Sequence, residues 1–123
     1  MAKKVMIIED NPLNMRLFND LVRSAGYETV TTDNGLDALD IARDAQPDLV
    51  ILDVQLPEVS GLDVARWFKA EDSLKDVPII AVTAFAMKGD EERVRASGVQ
   101  DYMSKPIAVA DFLKAVKGFL END

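Results

Sequence analysis

Cysteine and histidine are both absent from this 123-residue chain. Without cysteine there is no disulfide, no thiol nucleophile and no thiolate metal site. Without histidine there is no Ser-His-Asp triad, no Cys-His dyad and no imidazole zinc site. A metal bound here would be a hard cation on oxygen ligands. Positive charge is scarce as well: 14 Lys and Arg stand against 22 Asp and Glu, for a net charge of −8. Such a balance repels phosphate backbones and argues against nucleic acid as a direct ligand. Long apolar runs are missing too. None approaches the ~18 residues a membrane span needs, and Val5-Met6-Ile7-Ile8 is too short for a secretory leader. A cytoplasmic protein with no membrane partner is the expectation, and the lack of cysteine agrees with it.

What is present suits one soluble α/β domain over residues 1–123, with 48% apolar and 29% charged residues. No repeat, low-complexity stretch or linker interrupts it. Short apolar runs alternate with helix-period segments. Lys4–Ile8 reads as a buried strand, and Asn11-Pro12 as a cap and first turn. Leu13, Leu17, Phe18, Leu21, Val22 and Ala25 form one helical face, which Gly26 ends. Tyr27–Thr32 is a second strand. The helix after Asp33-Asn34-Gly35 carries Leu36, Leu39, Ile41 and Ala42 and stops before Pro47. Asp48–Asp53 is a third strand. A loop with Pro57, Ser60 and Gly61 leads to a helix with Leu62, Ala65 and Phe68. Val77–Thr83 is a fourth strand. Lys88–Ala96 is a helix with almost no apolar face, ended by Gly98, and is expected to pack loosely. Asp101–Ser104 is a fifth strand, and Ala108–Leu120 a last helix with Val109, Phe112, Leu113, Val116 and Leu120 inward. Strict alternation with buried strands predicts a doubly wound (βα)5 fold, its parallel sheet covered on both faces.

Four of these strands stop at a reactive side chain: Glu9-Asp10, Asp53, Thr83 and, near the last, Lys105. In a parallel sheet those ends share one edge, where ligands bind at the reversal of strand order. The common order 2-1-3-4-5 sets Asp10 opposite Asp53, with Thr83 and Lys105 beyond. Singly, each residue has an ordinary reading as a helix cap, a loop carboxylate, a strand residue or a surface charge. Jointly, three crowded carboxylates repel one another and one ammonium cannot neutralise them, so the arrangement is costly unless a cation sits among them. Oxygen ligands alone suit Mg²⁺, for which Mn²⁺ can substitute. Asp53, ionised without help from a general base, could then serve as a nucleophile toward a phosphoryl group. The cation, Lys105 and the Thr83 hydroxyl would each hold one phosphoryl oxygen.

At these residues the sequence resembles the response-regulator receiver domains of two-component signalling. The resemblance runs from Lys3 to about Leu120 and rests on KVMIIEDN, PDLVILDVQLPEVSG, PIIAVTA and DYMSKPI in that order. The runs EDNPLNM, VTAFAMKGDEER and SKPI are most similar to single-domain cell-division regulators of that family. The resemblance implies the flavodoxin-like receiver fold, a five-stranded parallel sheet in order 2-1-3-4-5. It implies Asp53 as phosphoacceptor, Asp10 as direct metal ligand, Glu9 as an acidic partner acting through water, and the Gln55 carbonyl as a further ligand. Lys105, Thr83 and Ala84 match phosphate-binding positions, Thr83 and Tyr102 the switch pair, and Pro106 the residue after a cis peptide. Glu9 stands where aspartate is commoner. Phe85 stands where many members are polar, which bears on how long a phosphoryl group survives.

The implied function is a phosphorylation-gated signalling switch, not an enzyme beyond weak self-phosphorylation and autodephosphorylation. Its partners would be a sensor histidine kinase or phosphatase and a downstream protein effector, and the chain would be a monomer, with a dimer possible. It cannot itself be the kinase, having no histidine to phosphorylate. With no output domain after it, its own surface would be the output. That surface is expected on the fourth helix, fifth strand and fifth helix, at Phe85, Met87, Lys88, Arg93, Val99 and Tyr102. Three rivals are a small aspartate-nucleophile phosphatase of haloacid-dehalogenase type, a flavodoxin-like carrier and a receiver-fold adaptor working without phosphorylation. The first lacks its acid, Gln55 occupying that position. The second lacks its hydroxyl-rich phosphate loop. The third usually has lost the acceptor or the lysine, and both are present.

Overall fold

The computed structural model describes residues 2–84 and 88–121, the side chains of 88–91 excepted. Five strands alternate with five helices: β1 (Lys4–Ile8), α1 (Pro12–Ser24), β2 (Glu28–Thr32), α2 (Gly35–Ala45), β3 (Leu49–Asp53), α3 (Gly61–Ala70), β4 (Ile79–Thr83), α4 (Lys88–Ala96), β5 (Asp101–Ser104) and α5 (Val109–Glu121). All strand pairs are parallel, in the order β2-β1-β3-β4-β5. The expected topology is therefore the observed one.

Strand pleating splits the core in two. Val5, Ile7, Leu49, Ile51, Ile80 and Val82 face α1 and α5, where they meet Phe18, Val22, Phe112 and Val116. Met6, Ile8, Val50, Leu52, Ile79 and Ala81 face the other three helices, where they meet Ala38, Ala42, Val64, Phe68 and Val94. Burial on both faces explains why β1, β3 and β4 read as continuous apolar runs. Phe18 and Phe112 stack across the α1–α5 seam with ring centroids 5.3 Å apart.

Helix ends follow local chemistry. The Asn11 side chain accepts from Leu13 N–H and Asn14 N–H, with Pro12 at the first helical position. Asn34 and Ser60 cap α2 and α3 in the same way. Gln46 takes a left-handed φ of 49° to end α2 before Pro47.

Four leucine and valine assignments need correction. Leu13, Leu17, Leu36 and Val109, counted toward buried helical faces, are exposed by 80%, 41%, 51% and 45%. Each lies in the first or second turn of its helix. In α1 the buried face is carried by Phe18 and Val22, so Leu13 and Leu17 lie off it. The polar helix α4 does have an anchor, because its single valine, Val94, is buried. Strand starts differ by one or two residues at Tyr27, Asp48 and Val77, and α5 begins at Val109.

Gly118, in the interior of α5, has nothing within 4 Å of the position a Cβ would take. Gly118→Ala is expected to stabilise the protein by about 0.5–1 kcal/mol, since helical glycine costs backbone entropy with no compensating contact here. Urea titration should show a higher midpoint with an unchanged slope.

Candidate functional site

The sheet register builds the site. Ile8 pairs with Leu52, so Glu9 and Asp53 leave neighbouring strands side by side. Glu9 and Asp53 are buried, Asp10 is exposed, and one carboxylate oxygen from each lies within 4.8 Å of the others. Asn11 N–H donates to Glu9 Oε2 at 3.1 Å, and Gln55 N–H donates to Asp53 Oδ1 at 3.0 Å. The chain immediately after each acid thus turns back to hold it.

Lys105 enters from the far side. Its backbone N–H donates to the Thr83 carbonyl at 2.7 Å, which fixes the residue beside the end of β4. The Lys105–Pro106 peptide is cis, as the family resemblance implies. The Lys105 ammonium lies 3.0 Å from Glu9 Oε1 and 3.4 Å from Asp53 Oδ2. Thr83 is fully buried and pairs in register with Ser104, whereas Ala84 is exposed.

Burial is the main cause that drives the Asp53 carboxyl up to about 7, with the neighbouring Glu9 adding to it. The Gln55 N–H and the Lys105 ammonium pull the other way without overcoming it. One cation between two buried carboxylates therefore leaves negative charge uncompensated. Glu9 Oε1 shows the same shortage: it is buried and accepts no hydrogen bond, so the lysine answers it by charge alone. An all-oxygen donor set with surplus negative charge and an unsatisfied oxygen fits a hard divalent cation.

The sequence-derived residues divide into two groups. Glu9, Asp10, Asp53, Gln55, Thr83 and Lys105 converge on this crevice. Tyr102, on β5, is half-buried against the core that contains Val94 and Val99. Val99 itself, expected on a partner surface, is only 8% exposed and belongs to that core. It follows Gly98, whose φ of +100° turns the chain and sends Val99 inward. Arg93 is exposed on α4. Phe85 and Met87 lie outside the described residues, as does the side chain of Lys88. Two features escaped the sequence reading: the Asn11 N–H that orients Glu9, and the exposed Leu17, which lines a surface hollow with Ala84, Lys105 and Pro106. Only the N-cap signal at Asn11 hinted at the first.

A five-stranded parallel sheet in order β2-β1-β3-β4-β5, with acids and a lysine gathered at its carboxyl edge, is a receiver-type architecture. The chain belongs to the response regulator receiver domain family, which matches residues 5–117. It is 59% identical over 120 residues to the polar-differentiation response regulator DivK of Brucella anthropi, covering 98% of each chain. The DivK of Brucella ovis is 58% identical over the same length. Among solved structures, it is similar to the receiver domain of a Pseudomonas aeruginosa sensor histidine kinase, with a TM-score of 0.91 and 30% identity. That match covers 99% of this chain and 100% of the other, and that domain was solved with a magnesium ion in its active-site cleft. A Vibrio cholerae chemotaxis protein has a TM-score of 0.89 and 25% identity, covering 95% of this chain and 98% of its own. Among the described residues, no helix is long and apolar enough to cross a membrane.

Proposed function

We propose that this response regulator, one receiver domain over residues 1–123, takes a phosphoryl group on Asp53 from a sensor kinase's phosphohistidine. The phosphorylated form then switches protein contacts in cell-cycle or cell-division control; its DivK relatives are named polar-differentiation response regulators. The observation that carries this reading is a buried Asp53 flanked by two further acids and one lysine at 3.4 Å.

Glu9, Asp10, Asp53 and the Gln55 main chain would hold Mg²⁺, or Mn²⁺ in its place. When bound, the ion supplies positive charge for the phosphoryl oxygens. The ionised Asp53 oxygen attacks phosphorus as the bond to the donor's imidazole nitrogen breaks and the imidazole leaves. Lys105, anchored by its backbone to Thr83, holds its ammonium where a phosphoryl oxygen on Asp53 would sit. The Thr83 hydroxyl and Ala84 N–H would take further oxygens, and Tyr102 would follow Thr83 inward. In this reading the domain works as a switch, its own chemistry limited to weak self-phosphorylation and autodephosphorylation.

Leu17, exposed in the hollow it shares with Ala84, Lys105 and Pro106, offers an apolar contact for the kinase. The effector would meet α4, β5 and α5, at Arg93, Tyr102 and the segment 85–88. The domain would act as a cytoplasmic monomer.

The test is incubation with acetyl phosphate and Mg²⁺, followed by borohydride trapping and peptide mass spectrometry. One phosphoryl group should appear, on Asp53 alone, and chelation should abolish it. Labelling elsewhere, or none, contradicts the proposal. Continuous turnover of a small phosphomonoester would favour the phosphatase reading instead.

A further inference from the structure

Asp53 stands at the neck of a loop, residues 54–60, that leaves the sheet and returns as α3. Backbone closes that neck. Val54 N–H donates to the Val82 carbonyl at 3.0 Å, and Gly61 N–H donates back to the Val54 carbonyl at 2.9 Å. Within it, Gln55 N–H donates to Asp53 Oδ1. Beyond it, Glu58 takes a φ of 67° and Val59 N–H donates to the Pro57 carbonyl at 2.7 Å, so the loop doubles back at once. The aim of the Asp53 carboxylate therefore depends on how tightly the neck shuts.

Two glycines set that closure. A Cβ on Gly61 would stand 2.2 Å from the Asp53 carbonyl oxygen and 2.7 Å from Val54 Cα. Those are main-chain atoms of the site itself and cannot swing aside. Gly35, the first residue of α2, presses the loop from its other side. A Cβ there would meet Val59 Cγ1 at 2.7 Å, Leu56 Cδ1 at 3.0 Å and Val64 Cγ2 at 3.1 Å. Among the described residues, the glycines with positive φ are Gly26 and Gly98. Space, and not a left-handed backbone, is what excludes a side chain at Gly35 and Gly61.

We infer that Gly61 and Gly35 are positioning residues for the Asp53 site: they let α3 and α2 clamp the 54–60 loop so that the Asp53 carboxylate and the Gln55 main chain keep one geometry toward a divalent cation. This rests on the reading of Asp53 as a cation-assisted phosphoacceptor. Mg²⁺ demands near-ideal ligand placement, so an opening of a few tenths of an ångström is felt in affinity. A purely structural role for these glycines would lower stability and leave the cation affinity alone.

The experiment compares wild type, Gly61→Ala, Gly35→Ala, the double variant Gly35→Ala/Val59→Ala and the control Gly118→Ala. Mg²⁺ binding is measured by calorimetry, the Gln55 amide by NMR in metal-free protein, and unfolding in chelator. Gly61→Ala should weaken Mg²⁺ binding about tenfold or more, the scale of losing a ligand's supporting contact. It should also shift the Gln55 amide and speed its hydrogen exchange. Gly35→Ala meets only side-chain ends, so it should fold and lose about threefold, and removing the Val59 methyls should restore the loss. Gly118→Ala should match wild type in both readouts. Affinities and Gln55 amides within twofold of wild type in Gly61→Ala and Gly35→Ala overturn the inference, whatever the thermal midpoints. If Gly61→Ala fails to fold, the Gly35 variants decide, and a loss that Val59→Ala does not restore counts against it. If wild type binds no Mg²⁺, the phosphoacceptor reading fails by itself. The Gln55 amide then judges the clamp alone, and an unchanged amide overturns it.

Discussion

In chelator at pH 8, Asp53→Asn is expected to unfold about 5–10 °C above wild type, the equivalent of ~1–3 kcal/mol. The cause is a buried carboxyl held up to about 7, against an ordinary value of 3.8, by desolvation first and the adjacent Glu9 second. The sign follows from proton counting. Between pH ~4 and ~7 the folded state binds more protons at this group than the unfolded state does. Wild type therefore loses stability as pH rises through that window, and the loss is complete above pH 7. Asparagine carries no charge to bury and can still accept the Gln55 N–H through its side-chain oxygen. The difference between the two proteins should be full at pH 8 and vanish by about pH 4. Mg²⁺ should then raise the wild-type midpoint far more than the variant's, because it binds the folded carboxylate and not the amide. Thermal unfolding at four pH values, with and without Mg²⁺, checks all of this. A variant that melts below wild type at pH 8 would show that the Asp53–Lys105 attraction outweighs burial.

Much of the architecture was legible because its determinants are local. The runs Val5-Met6-Ile7-Ile8 and Leu49-Val50-Ile51-Leu52 are apolar at every position, which only two-sided burial requires. Asn11-Pro12 and Ser60 mark helix starts by capping chemistry that needs no tertiary partner. Other features depend on what lies across space. Leu13 and Val99 are both apolar residues near a helix end, yet one is exposed and the other in the core. Gly98 turns Val99 inward through a φ of +100°, a conformation that a glycine in the sequence permits without requiring. The acids were legible as a cluster once strand order was assumed, but not as a set in which Glu9 and Asp53 are buried while Asp10 faces solvent. Nor did the sequence reveal that Lys105 lies nearer Glu9 than Asp53, since that distance depends on side-chain length across two strands. The closeness of Gly61 to the Asp53 backbone was equally hidden, because a glycine in a loop reads as turn chemistry until its neighbours are known.

Lys105→Met is expected to cut phosphoryl uptake from acetyl phosphate by about a hundredfold or more, while Mg²⁺ binds at least as tightly as in wild type. The two effects have opposite signs because one ammonium faces two tasks. It lies 3.0 Å from Glu9 Oε1 and 3.4 Å from Asp53 Oδ2, so it competes for the same negative charge a divalent cation would use. It has no lone pair to offer a metal, so removing it takes away a repulsion and costs no ligand. Phosphoryl transfer is different. The group arriving at Asp53 spreads charge over three oxygens, and Lys105 is the described cation already in place beside the acceptor. Methionine keeps most of the apolar stem, and the backbone hydrogen bond to Thr83 does not depend on the side chain. The loss should therefore be electrostatic and not a collapse of the β5–α5 turn. Labelling kinetics and calorimetry on the same protein samples separate the possibilities. Parallel loss of uptake and Mg²⁺ binding would mean that the lysine acts by holding the two carboxylates in place. Unchanged uptake would place the phosphoryl oxygens out of its reach.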